Sequence, residues 1–534
     1  MKRIISLLLI ILICLTAFAS CSKNDAVVLF FAMDNPASSF DPQIASGGTT
    51  RAIVRNCFEG LTVPLEDGGT GGGVAESWDV SPDGLVYTFK LRPDAKWHLT
   101  SNARDQLEGK LPENFDLQVT AYDFVFALKR AVSPETASSD ACLFMNIAGA
   151  DEIFKGKADA DTLGVRAVNK TTLEIKLVRP QSNFPEALSE PAAMPCSETF
   201  FKACSGRYGT YIKFLLSNGP FYLSFFDDSS YRINKNPDYS GSYTAKSDAV
   251  WFYYVPDRAK LVKGLADGDY SGAGITSEEF ADYKAGKHDN IIEKKNKMRS
   301  LLFNINDEVL SCADMRRAVF AATNPSLIAD NAGKTLLKGF VPECAADLSV
   351  TSHPVSYNEN NAAVYLKKGL TALGRSSAEI SVMCESAHEE LMRKLLQEWQ
   401  RILGISVSFS VKPMERAELD KAVASGDYQI AFYPVETQTE STYEYFATYT
   451  PSFGGGVTGY SSAAVTSLLT GLYSGKSSEY SETYRAVEDK ISDAAVFLPV
   501  WSESSYFVCT EGVTGVIYKT GSDKLYLYNA FSDN

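Results

Sequence analysis

The chain has 534 residues, a formal net charge of −14 and 45% hydrophobic residues. A surface this acidic repels the phosphate backbone, so we expect no nucleic-acid partner. The length is enough for two or three domains, each with its own core.

The N-terminus has the features of a secretory signal peptide. Two basic residues precede an apolar run over 4–18, and Ala19-Ser20-Cys21 follows that run. A charged start, an apolar middle and small residues before the cut are typical of such signals. The run is short for a permanent membrane-spanning helix, which needs roughly 20 apolar residues.

Cys21 stands where the signal peptide should be cleaved. The stretch Phe18-Ala19-Ser20-Cys21 resembles the bacterial lipobox, although lipoboxes usually carry Leu where Phe18 stands. This resemblance implies that Cys21 is acylated and anchors the protein to the outer face of the cell membrane. The alternative is an ordinary signal peptide with a chance cysteine.

The glycine-rich stretch over 68–73 does not have the sequence pattern of a nucleotide-binding loop. A phosphate-binding loop needs a strand before it and a helix after it. The sequence Val74-Ala75-Glu76-Ser77-Trp78 follows here without helical character. We therefore expect no nucleotide cofactor.

Cysteines and histidines give no metal pattern. There is no C-x-x-C pair, and the four histidines lie far apart in the sequence. A zinc site needs clustered ligands, so we expect none. Cys196 and Cys204 are close enough for a local disulfide, and two buried free thiols are the equally weighted alternative.

The segment over 380–435 shows the clearest secondary structure. An apolar strand is followed by the amphipathic stretch His388 to Leu403, then by a strictly alternating strand over 405–411. A second helix ends at Gly426, and residues 428–432 form another strand. This β-α-β-α-β order predicts an α/β layer.

Several segments along the chain resemble the solute-binding proteins family 5, which holds the peptide-binding proteins of ABC importers. They occur in the family's order and include Phe40-Asp41-Pro42, Phe58-Glu59-Gly60-Leu61, Ala75-Glu76-Ser77-Trp78, Tyr87-Thr88-Phe89-Lys90-Leu91-Arg92, Ser217-Asn218-Gly219-Pro220-Phe221 and Lys235-Asn236-Pro237-Asp238-Tyr239. The stretch Ile147-Ala148-Gly149-Ala150-Asp151-Glu152-Ile153 resembles the oligopeptide-binding branch.

The resemblance implies an α/β fold of the type II periplasmic-binding-protein kind, with two lobes and a hinge between them. Along the chain it implies a signal peptide over 1–20, lobe one over 21–66, a subdomain inserted in lobe one over 67–186, lobe one again over 187–253, lobe two over 254–495, and a C-terminal return to lobe one over 496–534.

The resemblance also implies that a peptide is bound between the lobes as an added strand. Small residues near the start of the chain and a segment at the end of a lobe-two strand supply these contacts. The expected ligand-binding residues are Ser46, Gly47, Gly48, Asn218, Gly219, Pro434, Val435, Glu436, Gln438, Trp501 and Glu503. Asn218 and Gly219 are equally well explained as a turn before a strand.

Many family members place an aspartate where this chain has Gln438, and that aspartate pairs with the ligand's amino terminus. We expect Glu436 to replace it, because side chains two apart on a strand share a face. The alternative is a ligand without a free amino terminus at that place.

The expected function is therefore a lipid-anchored receptor outside the cytoplasm, which acts as a monomer and delivers peptides to the permease subunits of an ABC importer. A peptide-sensing signalling receptor and a binder of a non-peptide solute remain alternatives. We expect no enzyme, because neither G-x-S-x-G nor H-E-x-x-H occurs in the sequence.

Overall fold

The computed structural model describes most of the chain. The described residues are 26–65, 69–181, 183–283, 290–332, 334, 336–337, 339–342, 357–437, 442–450, 456–471, 480–519 and 524–532. The predicted signal peptide and Cys21 lie outside them.

The strands are distributed along the whole described chain. They are β1 Val28–Met33, β2 Thr62–Pro64, β3 Thr70–Gly72, β4 Ala75–Val80, β5 Val86–Leu91, β6 Val165–Asn169, β7 Thr172–Lys176, β8 Phe221–Phe226, β9 Ser230–Lys235, β10 Ala249–Tyr254, β11 Gly272–Thr276, β12 Asn290–Phe303, β13 Ala378–Glu385, β14 Val407–Met414, β15 Ile430–Glu436, β16 Phe497–Cys509, β17 Val513–Thr514, β18 Ile517–Lys519, β19 Lys524–Tyr526 and β20 Phe531–Ser532.

The helices alternate with the strands along the described chain. They are α1 Gly48–Cys57, α2 Ser101–Gln106, α3 Ala121–Val132, α4 Ala150–Phe154, α5 Phe184–Ala187, α6 Glu198–Ala203, α7 Arg258–Asp267, α8 Ser277–Asp282, α9 Ala313–Ala322, α10 Pro325–Asn331, α11 Glu359–Leu373, α12 Glu389–Leu403, α13 Arg416–Ser425, α14 Thr442–Ala447, α15 Ala463–Gly471 and α16 Tyr480–Ala494.

A ten-stranded mixed sheet runs through the molecule in the order β14-β13-β15-β12-β16-β11-β1-β10-β9-β8. Two large hydrophobic cores lie along it. We name the first lobe for the core that contains Phe31, Phe58 and Phe252, and the second lobe for the core that contains Phe303, Trp399 and Phe432. The predicted two-lobed α/β architecture is confirmed.

The long strands β12 and β16 pass from one lobe to the other. In β16, Leu498 and Trp501 belong to the second core, and Phe507 belongs to the first core. The two strands pair antiparallel, and their register shifts between Lys294 and Lys297. An extra residue in one strand bends the pair at this point.

The passages between the two cores lie within the crossing strands. We expected lobe two to cover 254–495, but β11 within that range pairs with β1 of the first lobe. The N-terminal half of β16 packs in the second core although we expected it in lobe one. The passages lie instead near 292–298 and 501–507, because each strand serves both cores.

The β-α-β-α-β segment is confirmed. β13 pairs parallel with β14 and with β15, and α12 and α13 are the connections between these strands. Met392, Leu395 and Trp399 form the buried face of α12, as the 3.6-residue period predicts. This unit fixes the position of the C-terminal end of β15.

A second, four-stranded sheet in the order β4-β5-β7-β6 lies in the first lobe within the range expected for the inserted subdomain. α3 packs against it and begins with a capping box, in which the Asp123 carboxylate accepts the Thr120 backbone N–H at 2.7 Å.

Candidate functional site

A cavity of about 780 Å³ lies between the two lobes. Side chains such as Arg51 and Lys524 line it from the first lobe, and the end of β15 lines it from the second. Cavities of roughly 300–1,000 Å³ enclose most of the surface of a small ligand. The cavity is therefore the candidate binding site.

The end of β15 offers an open edge to this site. β15 pairs with β13 only as far as Phe432, but with β12 as far as Glu436. From Tyr433 onward, its second edge has no strand partner among the described residues. Tyr433 and Pro434 to Thr437 also line the cavity. Unpaired backbone groups at a strand edge bind an added strand readily.

Two consecutive residues of β12 hold the Glu436 carboxylate. Its Oε1 accepts a hydrogen bond from Asn296 Nδ2 at 2.9 Å, and its Oε2 lies 3.9 Å from Lys297 Nζ. Asn296 is buried, and its Oδ1 accepts from Ser505 Oγ of β16 at 2.8 Å. Glu436 is thus connected to both crossing strands at the point where their register shifts.

Arg416 and Tyr433 form a second polar group on the second-lobe wall. The Arg416 guanidinium lies 5.0 Å from the centre of the Tyr433 ring, and Asp420 accepts from both side chains. Burial and the hydrogen bond to Asp420 raise the pKa of Tyr433 to about 12. The tyrosine therefore stays a neutral hydrogen-bonding group at physiological pH.

The first-lobe wall carries a cluster of charges around Glu190. Its Oε1 lies 2.6 Å from Lys524 Nζ, and its Oε2 lies 2.8 Å from Arg55 and 3.3 Å from Arg51. Arg51 also bonds Asp140 at 2.9 Å. Burial alone would raise the pKa of Glu190, but Lys524 and the two arginines lower it below its usual value.

An aromatic wall closes the second-lobe side. Tyr445 and Tyr449 share a hydrogen bond of 3.0 Å between their hydroxyl groups, and both line the cavity. Behind them, Glu488 is fully buried and accepts the Phe340 backbone N–H at 2.9 Å. Burial raises the pKa of Glu488 to about 7.

Residues 70–456 match the family described as "Bacterial extracellular solute-binding proteins, family 5 Middle". The match covers more than half of the chain. The chain belongs to this family.

Curated relatives of this family 5 protein carry names of peptide-binding proteins. The dipeptide-binding protein of Lactococcus lactis subsp. cremoris is 27% identical over 444 residues, which are 78% of this chain and 77% of the relative. The oligopeptide-binding protein OppA of Bacillus subtilis is 24% identical over 518 residues, which are 92% of this chain and 90% of the relative.

Solved structures share the fold of this family 5 protein. Listeria monocytogenes OppA bound to peptide has a TM-score of 0.76 at 20% identity and covers 96% of this chain and 100% of that one. The pheromone receptor PrgZ has a TM-score of 0.75 at 22% identity and covers 95% of this chain and 100% of that one.

The structure brings part of the predicted site to the cavity. Pro434, Val435 and Glu436 line it, whereas Gln438 lies outside the described residues. Ser46 and Gly47 are exposed at the start of α1, where Gly47 has a φ of 76° that favours glycine. None of Ser46, Gly47 and the buried Gly48 lines the cavity, but Arg51 on the first turn of α1 does.

Asn218 and Gly219 are buried away from the cavity lining. Asn218 Oδ1 accepts from Glu59 N at 3.1 Å, and its Nδ2 donates to Glu59 O at 2.9 Å. Gly219 N donates to Cys57 O at 2.9 Å, and a Cβ at Gly219 would come within 2.7 Å of that carbonyl carbon. Both residues hold the chain that leaves α1, so the turn alternative fits their surroundings.

Trp501 and Glu503 lie in β16 beside the crossing point but do not line the cavity. Trp501 Nε1 donates to Glu503 Oε1 at 2.9 Å, and Arg299 Nε lies 2.7 Å from the same oxygen. Arg299 also bonds Glu385 at 2.7 Å. These groups satisfy one another inside the second lobe.

The sequence did not indicate the Glu190 cluster. Arg51 and Arg55 are four residues apart on α1 and so share a face, which is the only local signal. Glu190 and Lys524 are far from them in the chain and meet them only in the fold.

Cys196 and Cys204 are free thiols rather than a disulfide. They flank α6, and a helix rising about 1.5 Å per residue holds its two ends further apart than the roughly 7 Å limit for disulfide partners. Burial raises the pKa of both thiols to about 12.

In the part of the chain that the structure describes, no group of three or more His, Cys, Asp or Glu side chains could hold a metal ion. Within the same residues, no helix is long and apolar enough to cross a membrane.

Proposed function

We propose that this family 5 protein captures peptides in the cavity between its lobes and delivers them to the permease subunits of an ABC importer. The observation that carries this proposal is the open edge of β15 beside a cavity of about 780 Å³. An extended peptide there gains backbone hydrogen bonds that do not depend on its side chains. The names of the curated relatives support peptides as the ligand class.

The ligand's amino terminus is assigned to Glu436 in this proposal. A buried ammonium group is costly unless a carboxylate and hydrogen bonds compensate it. Glu436 is the acidic residue at the end of the open edge, and Asn296 orients its Oε1. Lys297 stands 3.9 Å away as the counter-charge that a ligand ammonium would replace.

We assign the movement that closes the two lobes to bending of the crossing strands β12 and β16. β12 and β16 connect the lobes, and the register shift beside Asn296 gives them a place to bend. A ligand that contacts both walls favours the closed arrangement through its additional contacts.

The proposal also covers where the protein is located and in which oligomeric state it acts. Acylated Cys21 holds it outside the cytoplasm on the cell membrane, and it acts as a monomer. It binds and releases its ligand without chemical change, which agrees with relatives that are named as binding proteins.

The test has two parts. Mass spectrometry of small molecules that co-purify with the protein should identify peptides. Calorimetry should then compare one such peptide with its N-acetylated form on the parent and on Glu436→Gln. Acetylation should weaken binding to the parent by about tenfold or more and to the variant only slightly, because a charged hydrogen bond is lost only in the parent.

Two results would contradict the assignment. Equal affinity of the parent for both forms would remove Glu436 from the amino-terminal role. Failure of every co-purified or synthetic peptide to bind would reject peptides as the ligand class.

A further inference from the structure

The charged cluster on the first-lobe wall has no role in the peptide site proposed above. Its centre is Glu190, which is 6% exposed and forms ion pairs with Arg51, Arg55 and Lys524. Asp140, which also lines the cavity, bonds Arg51, so the cluster holds three cations and two carboxylates.

Lys524 is the cation of this cluster that is most accessible from the cavity. Its side chain is 24% exposed, compared with 9% for Arg51 and 0% for Arg55. Both Lys524 and Arg51 line the cavity. Glu190 is shared between Lys524 and two guanidinium groups, so it neutralises the Lys524 ammonium only in part. The remaining positive charge faces the cavity.

A partly buried ammonium that shares its counter-charge is stabilised when a further anion approaches. The enclosed position strengthens this effect, because an interaction between charges is screened less away from bulk water. The whole chain has a net charge of −14 and repels anions at long range. An attraction for anions must therefore be local, and Lys524 and Arg51 are among the cations that line the cavity.

We propose that Lys524, assisted by Arg51, forms a subsite for a carboxylate of the ligand. The inference rests on the peptide-binding function proposed above and makes its ligand class narrower: peptides that place an acidic group on the first-lobe wall. That group is either an aspartate or glutamate side chain or the C-terminal carboxylate.

Calorimetry on the mature chain tests the subsite with synthetic pentapeptides. One series moves a single Glu through an alanine background, a second carries Gln at the same positions, and a third has C-terminal amides. We expect one Glu position, or the free C-terminus, to raise the affinity about tenfold, since a charge-assisted bond replaces a neutral one.

Lys524→Met is the decisive variant. Glu190 keeps its ion pairs with both arginines in this variant, so the fold should be retained. The preference for the acidic peptide should fall below about twofold, because little discrimination remains without the charged hydrogen bond. Lys412→Met is the matched control, because Lys412 is exposed on β14 and does not line the cavity. It removes the same charge and should leave the preference unchanged.

The outcomes separate cleanly. A difference between Glu and Gln peptides assigns the subsite to a side chain, and a difference between acid and amide assigns it to the C-terminus. Equal affinities throughout, or a preference that survives in Lys524→Met, would overturn the subsite while leaving peptide binding intact. If no peptide binds at all, both the proposed function and the subsite are rejected.

Discussion

Replacing Asn218 with alanine separates a structural role from a ligand contact. Asn218 is 4% exposed, and its amide bonds both the N–H and the C=O of Glu59. Alanine would leave these two buried backbone groups without the side chain that satisfies them. Each such loss costs about 1–3 kcal/mol, so we expect the free energy of unfolding of the first lobe to fall by about 2–6 kcal/mol.

Urea denaturation followed by tryptophan fluorescence measures this change, and calorimetry measures peptide affinity on the same samples. Peptide affinity of the folded variant should stay within about twofold of the parent, because Asn218 does not line the cavity and distant sites couple weakly. Asn102→Ala serves as the control, since Asn102 is exposed on α2 and should change stability by less than about 0.5 kcal/mol. A tenfold loss of affinity with unchanged stability would refute the structural role.

Glu488 has its pKa raised to about 7 by burial, so its ionisation lowers folded-state stability as pH rises from about 4.5 through 7. Glu488→Gln should therefore be more stable than the parent by about 1–3 kcal/mol at pH 8 and equal to it at pH 4, as thermal melts in matched buffers would show; equal stability at both pH values would contradict it. Asn296→Ala should weaken binding of a free-amine peptide about threefold to tenfold while leaving its acetylated form nearly unaffected, because Glu436 loses its orienting bond; calorimetry that finds both forms weakened alike would indicate a general loss of packing. Cys21→Ala should release the protein from membranes or block its processing, and a variant that is cleaved normally and still sediments with membranes would disprove the lipid anchor.

Local patterns in the sequence predicted much of the fold. The spacing of Leu395, Trp399 and Leu403 is sufficient to predict α12, and the alternation around Phe409 is sufficient to predict β14. Such signals depend on neighbours a few residues away, so they can be read without the fold.

The parts of the site that depend on long-range contacts could not be predicted in this way. Glu190 meets Arg51 and Lys524 only because three distant segments converge on one wall. Asn218-Gly219 was ambiguous because the same dipeptide suits a turn before a strand and a ligand contact near the cleft equally well. The passages between the lobes have no local signal, because β16 is one uninterrupted strand with residues in both cores.

Solution X-ray scattering tests the central claim, that a peptide is bound between two lobes which close around it. Samples of the full mature protein should be measured with and without a saturating peptide whose binding calorimetry has verified. We predict a smaller radius of gyration in the bound sample, because ligand contacts from both walls stabilise the closed arrangement of the crossing strands. An unchanged radius with the peptide fully bound would contradict the account.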